Sequence, residues 1–128
     1  MTETLLAAAP RAPRVLLVED DEELRLAVTR ALEKAGYEVV LAETGAAAVA
    51  AAGEGAIDAA IVDVFLPDSG GLGVARELRE LPGSVPILFV TGLAVPSVRA
   101  ALAPAPVLFK PFSKRQLLAS VRRRAGAA

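Results

Sequence analysis

The stretch AAIVDVFLPD, residues 59–68, places an acid inside a run of residues that has the composition of a buried β-strand. Burying an ionised carboxylate without a partner costs several kcal/mol. Asp63 is therefore expected at the end of that strand, beside a positive charge, or both.

Three other segments share this short, apolar, β-branched or aromatic character, which is typical of strands buried on both faces. They are RVLLVED (14–20), VPILFVT (85–91) and APVLFK (105–110). The segment YEVVLAE (37–43) is more polar and alternates, which favours an edge position. Together these five segments predict five strands.

Helical patterns separate the strands. Residues 21–35 carry an apolar stripe at helical spacing that Gly36 is placed to end. Thr44 precedes a small-residue helix, and residues 71–81 form a third. The fourth, between Pro96 and Pro104, must be short. Ser113 and Gln116 have the spacing of a capping box at the start of the fifth helix.

Strands that alternate with helices five times indicate an α/β fold with a parallel sheet covered by helices on both faces. Ligands of such sheets bind beyond the carboxyl ends of the strands. The residues at those ends therefore hold the expected site.

Composition limits the chemistry. The chain has 128 residues, of which 54% are hydrophobic and 23% charged, with a net charge of −1. These values indicate one soluble domain without bulk attraction to nucleic acid or membrane. Residues 1–13 are expected to form a loose tail, residues 14–126 the domain, and the cytoplasm is the expected location. Without cysteine or histidine, disulfides, zinc sites of the usual kind and Ser-His-Asp catalysis are excluded.

Polar residues follow the buried strands: Glu19, Asp20 and Asp21, then Asp63, Thr91 and Lys110. Several carboxylates gathered at one edge repel one another, and a hard cation such as Mg²⁺ relieves that repulsion. Each residue also has a structural interpretation. Asp20 or Asp21 could cap the first helix, and Asp63 and Lys110 could form a purely structural ion pair.

Four motifs, VLLVEDD, AIVDVFLPDSGGL, PILFVTG and VLFKPFS, resemble those of the receiver domains of bacterial two-component response regulators. The resemblance covers about residues 14–126. It implies a flavodoxin-like, doubly wound fold with five strands in the order 2-1-3-4-5 and five helices.

The resemblance also implies roles for the polar residues. Asp63 would accept a phosphoryl group, Thr91 would bond it, and Lys110 would pair with carboxylate or phosphate, with a cis Lys110–Pro111 bond. The implied ligands of Mg²⁺ are oxygens at the ends of two strands: Asp20, Asp21, Asp63 and the backbone carbonyl of Phe65.

A receiver takes its phosphoryl group from a phosphohistidine, carried by a histidine kinase or a histidine phosphotransfer protein. The chain has no histidine and matches the acceptor alone. We expect a signalling module rather than a metabolic enzyme, with an unknown downstream protein as partner. Only AGAA follows Arg124, so a phosphate sink and a part of a hybrid histidine kinase stay open.

Three features depart from the family pattern. Val107 occupies the position of a switching aromatic residue, and Phe109 is expected on the opposite face of its strand. Thr91 and Lys110 are only 19 positions apart, which shortens the fourth helix. Phe65 and Leu93 flank the expected path of hydrolytic water, so a long-lived phosphoryl group is expected.

Other function classes fit less well. A haloacid-dehalogenase-like phosphatase needs a second acid two residues after the first, where this chain has Phe65. A dinucleotide-binding fingerprint in GGLGVAR would need glycine at Arg76. A receiver fold used only as a scaffold would not need the complete set of acids, threonine and lysine.

Overall fold

The computed structural model describes residues 11–66, 68, 70–93 and 96–128. Within these residues five strands alternate with five helices. The strands are β1 Arg14–Val18, β2 Glu38–Ala42, β3 Ala59–Asp63, β4 Ile87–Thr91 and β5 Val107–Phe109. The helices are α1 Glu22–Lys34, α2 Gly45–Glu54, α3 Gly70–Glu80, α4 Pro96–Leu102 and α5 Lys114–Ala125.

All strand pairs are parallel, and the order in the sheet is β2-β1-β3-β4-β5. The predicted flavodoxin-like architecture is confirmed, with the more polar β2 at an edge. The central strand β3 is buried along its whole length, as the apolar run around Asp63 predicted.

Side chains alternate between two cores, one on each face of the sheet. Leu16, Ala60 and Phe89 face α2, α3 and α4, whereas Val15, Ile61 and Leu88 face α1 and α5. This alternation of period two is why the strands are apolar throughout. The strand register, in turn, fixes which residues meet at the carboxyl edge.

The predicted helix signals are present. Thr44 accepts a hydrogen bond from the N–H of Ala47 at the start of α2, and Ser113 and Gln116 form a reciprocal capping box on α5. Helix α4 begins at Pro96 and has seven residues, which confirms a short fourth helix.

The first ten residues of the predicted tail lie outside the described residues. Arg11, which follows them, pairs with Asp58, with 3.0 Å between Nη1 and Oδ2. Among the described residues, no helix is long and apolar enough to cross a membrane.

Candidate functional site

The strand register brings four side chains to the carboxyl edge of the sheet. Val18 is aligned with Val62, so Glu19, just after β1, lies level with Asp63 at the end of β3. Thr91 ends the neighbouring β4, and Lys110 directly follows β5, with its N–H donating to the carbonyl of Thr91 at 2.8 Å. Residues up to 91 positions apart in the chain are thus neighbours.

Lys110 lies between two buried carboxylates. Its Nζ donates to Oδ2 of Asp63 at 2.7 Å and to Oε1 of Glu19 at 3.1 Å. Asp63 is only 6% exposed and Glu19 only 3%. Such short, partly dehydrated, charge-assisted bonds are strong, and this ammonium explains how β3 can end in a buried acid.

Backbone donors hold the other oxygen of each carboxylate. The N–H of Phe65 donates to Oδ1 of Asp63 at 2.8 Å, and the N–H of Asp21 donates to Oε2 of Glu19 at 3.2 Å. Both acids are therefore oriented by the chain as well as by Lys110.

Three acids converge at this edge. One carboxylate oxygen from each of Glu19, Asp20 and Asp63 lies within 4.8 Å of the others. Three hard oxygen donors this close suit Mg²⁺. The negatively charged carboxylates repel one another, and a bound cation would reduce that repulsion, which supports the fit. The carboxyl edge of the sheet thus offers a set of oxygen donors for Mg²⁺.

Asp21 lies outside this cluster, contrary to the prediction that it belongs to the acidic pair. It is the N-cap of α1, and its Oδ1 accepts from the N–H of Leu24 at 3.1 Å. Glu19 takes its place, so the structure assembles Glu19 and Asp20 where the sequence predicted Asp20 and Asp21.

The place of Glu19 in this cluster was missed because three acids stand in a row, and one of them, Asp21, caps α1 instead of facing the site. Capping preference is the signal that decides among them. Asp is a strong N-cap, and the acids Glu22 and Glu23 already occupy the first turn that follows. Assigning Asp21 to the cap leaves Glu19 and Asp20 for the sheet edge.

Burial, together with the hydrogen bond and charge of Asp63, raises the pKa of Glu19 from 4.5 to about 7. Burial would lower the pKa of Lys110, but the hydrogen bonds and charges of Asp63 and Glu19 outweigh it and raise that pKa above 10.5. The lysine thus stays charged, while one of the acids it holds titrates near neutrality.

Thr91 is fully buried at the end of β4, and its Oγ1 accepts from the N–H of Leu93 at 3.1 Å. Leu93 is 46% exposed, and Phe65, on the loop after β3, is 57% exposed. These two apolar side chains stand in the loops that leave the strands bearing Thr91 and Asp63.

Val107 and Phe109 lie on the same face of β5, so the expectation of opposite faces was wrong. Val107 packs in the core toward α4, and the guanidinium of Arg99 on α4 lies 4.7 Å from the centre of the Phe109 ring. Leu108 points to the other core. Residues two apart in a strand share a face. The Lys110–Pro111 bond is cis, as the resemblance implied.

Gly71, in the first turn of α3, lies close to the main chain at the end of β3. Its N–H donates to the carbonyl of Val64 at 2.8 Å. A Cβ at this position would collide with the carbonyl oxygen of Asp63 and the Cα of Val64. Only glycine lets α3 begin this close to Asp63.

The sequence profile described as "Response regulator receiver domain" matches residues 15–122. The chain belongs to this family. Receiver domains are signalling modules that bind Mg²⁺ and interact with histidine kinases or phosphotransfer proteins.

This chain is similar in sequence to two curated response regulators. The response regulator receiver protein CpdR of Brucella abortus is 35% identical over 113 residues, which cover 86% of this chain and 94% of that protein. The response regulator MprA of a Mycobacterium species (strain KMS) is 38% identical over 112 residues. These cover 85% of this chain but only 49% of MprA, so the chain spans about half of that relative.

Among solved structures, the receiver domain of the sensor histidine kinase PA1611 from Pseudomonas aeruginosa superposes with a TM-score of 0.82 at 30% identity. The alignment covers 91% of this chain and 99% of that one. That structure is described with a magnesium ion coordinated in its active-site cleft.

Proposed function

We propose that Asp63 accepts a phosphoryl group from a phosphohistidine of a partner protein, in a reaction that depends on Mg²⁺, and that the product switches protein contacts. The observation that carries the proposal is the pair of buried carboxylates bonded to Lys110, with Asp20 beside them. A structural ion pair needs one acid, whereas Lys110 bonds two, and a third acid, Asp20, lies close to both of them.

In the proposed transfer, an oxygen of Asp63 forms a bond to phosphorus while the bond from phosphorus to the partner's imidazole nitrogen breaks. The imidazole leaves with the electron pair of that bond. Lys110 remains beside the incoming oxygens, and Thr91 provides a hydroxyl at the next strand end. Bound Mg²⁺ would offset the charge of the phosphoryl oxygens, held by Glu19, Asp20, Asp63 and the carbonyl of Phe65.

A groove of about 610 Å³ beside the site supports access for a protein donor. It lies between α1 and the start of the segment after β5, and its lining includes Leu24, Ala27 and Phe112 as well as Lys110. Because Lys110 belongs to both the groove and the site, a partner surface seated on these apolar residues would present its phosphohistidine to Asp63.

The test is incubation with acetyl phosphate and Mg²⁺, followed by intact mass spectrometry. We expect one phosphoryl group on the wild type, none on Asp63→Asn, and an unchanged level on Asp58→Asn, which alters an acid at the other end of the same strand. Phosphorylation of Asp63→Asn at the wild-type level would contradict the proposal.

We also propose that Phe65 and Leu93 slow hydrolysis of the phosphorylated form. Their exposed apolar side chains flank the site and offer water neither a donor nor an acceptor. Phe65→Asn and Leu93→Asn are expected to shorten the lifetime of the acyl phosphate, measured by the decay of the modified mass. A wild-type half-life of seconds at neutral pH with Mg²⁺ would refute this proposal.

A further inference from the structure

Two side chains accept hydrogen bonds from the N–H groups in the first turn of α2. Thr44 accepts from the N–H of Ala47 at 3.2 Å. The carboxylate of Asp68 accepts from the N–H of Gly45 at 3.0 Å and from that of Ala46 at 3.3 Å. The first turn of α2 contains no acidic residue, so Asp68 brings the favourable negative charge from outside the helix.

Asp68 belongs to the loop between β3 and α3, three residues after Phe65 and five after Asp63. The start of this loop is held by the bond from the N–H of Phe65 to Asp63, and its end by the bond from Gly71 to Val64. Those two bonds join the loop to itself and to β3, and the N–H of Val64 also donates to the carbonyl of Val90 on β4 at 3.0 Å. The bonds of Asp68 join the loop to a separate helix.

The start of helix α2 is packed in the core, so a loop bonded to it is held to a well-packed element. Ala48 in its first turn is fully buried in the core that also contains Val62 of β3, and Gly45 is buried as well. The loop is thus fixed to an element that packs directly on the sheet.

We propose that Asp68 is a positioning residue that holds the main chain of Phe65 in place for Mg²⁺; this inference rests on the proposed function. Mg²⁺ requires near-ideal octahedral geometry, so a carbonyl ligand on a displaced loop binds it poorly. Partners that orient metal ligands from outside the coordination shell commonly matter for affinity.

Thr44 offers a matched control, because Thr44→Ala and Asp68→Ala each remove one cap from the same helix. Both variants are expected to lose thermal stability to a similar extent. Only Asp68→Ala also removes the bonds between the loop and α2. A role limited to helix capping would therefore give the two variants the same Mg²⁺ affinity.

Calorimetric titration of the whole chain with Mg²⁺ tests this difference. We expect Asp68→Ala to raise the dissociation constant about tenfold and Thr44→Ala to change it by less than about twofold. Asp68→Asn should fall between these two variants, since its single amide oxygen can replace only one of the two carboxylate oxygens that accept from Gly45 and Ala46. Equal effects of Asp68→Ala and Thr44→Ala, or an Asp68→Asn that binds Mg²⁺ more weakly than Asp68→Ala, would overturn the proposal.

Amide hydrogen exchange without Mg²⁺ provides a second readout. The N–H of Phe65 should exchange at least about fivefold faster in Asp68→Ala and at the wild-type rate in Thr44→Ala. An unchanged rate in Asp68→Ala refutes the positioning role. Absence of Mg²⁺ binding by the wild type would instead refute the proposed function, so the two failures are distinguishable.

Discussion

The two ends of the sheet both carry ion pairs, but their charges balance differently. At the amino end, Arg11 pairs with Asp58 at 3.0 Å and Arg14 with Glu38 at 3.3 Å, one arginine for each acid. At the carboxyl end, Lys110 serves two acids that are at most 7% exposed, and Asp20 adds a third.

This difference separates structural pairs from a site. The amino-end acids are 32% and 56% exposed and have their own partners, so they need nothing further. At the carboxyl end, Glu19 and Asp63 share one lysine in a place with little water, so their repulsion is only partly relieved until a cation or a proton arrives. Substitutions at the two ends should therefore have different consequences.

The largest expected effect comes from removing the lysine. Lys110→Met should slow phosphorylation of Asp63 by acetyl phosphate about 100-fold, because it removes a fixed positive charge beside the developing bond. Arg11→Met at the amino end should leave the rate unchanged. Initial rates from intact mass at saturating Mg²⁺ measure both, and a rate for Lys110→Met near that of the wild type would remove Lys110 from the mechanism.

The next effect concerns which acids hold Mg²⁺. Glu19→Gln should raise the Mg²⁺ dissociation constant about tenfold, as expected for loss of a charged donor. Asp21→Asn should leave it within about twofold, because asparagine still caps α1. Calorimetry distinguishes the two variants, and a reversed order would restore Asp21 to the acidic pair.

The sequence predicted most of the fold because its signals are local. Buried strands are marked by continuous apolar runs, and Ser113 with Gln116 forms the capping box that the spacing indicated. Asp63 and Lys110 were also predictable, since parallel strands bring their carboxyl ends to one edge. Each of these features is marked by the residues of one short segment of the sequence.

The remaining features depend on register and on contacts between distant segments. The sequence predicts Asp20 and Asp21 as the acidic pair, and a row of acids shows where the first helix begins only when the capping preference of Asp21 is included. Phe109 was assigned to the wrong face, although alternation along a strand was sufficient to place it beside Val107. The bonds of Asp68 to α2 have no sequence signal, because they join a loop to a helix more than 20 positions earlier in the chain.

Glu19 should make Mg²⁺ binding depend on pH. Its pKa is raised to about 7, so the acid must lose a proton before it can bind the ion, and affinity should fall as pH decreases. Between pH 8 and pH 6 the dissociation constant should rise up to about tenfold. Titrations of the wild type and Glu19→Gln at both pH values test this, and an equal dependence in the two proteins would exclude Glu19 as the cause.

The smallest expected effect is on the free energy of unfolding, which substitutions at the two ends of the sheet should change in opposite directions. Without Mg²⁺ at pH 8, Glu19→Gln should raise the free energy of unfolding by about 1 kcal/mol, because it removes a buried charge that burial and Asp63 disfavour. Asp58→Asn should lower it by about 1 kcal/mol, because Asp58 accepts from the N–H of Arg14 at 2.7 Å and pairs with Arg11. Urea unfolding with a chelator measures both.

The gain from Glu19→Gln should also disappear in acid. The folded pKa of about 7 lies above the ordinary value of 4.5, so between these pH values the folded protein holds the proton more tightly than the unfolded chain. Its stability therefore falls as pH rises through this range, and glutamine cannot contribute that slope. If Glu19→Gln destabilised the metal-free protein at pH 8, the two ends of the sheet would be alike, and the excess of acids at the carboxyl end would not be a cost to the fold.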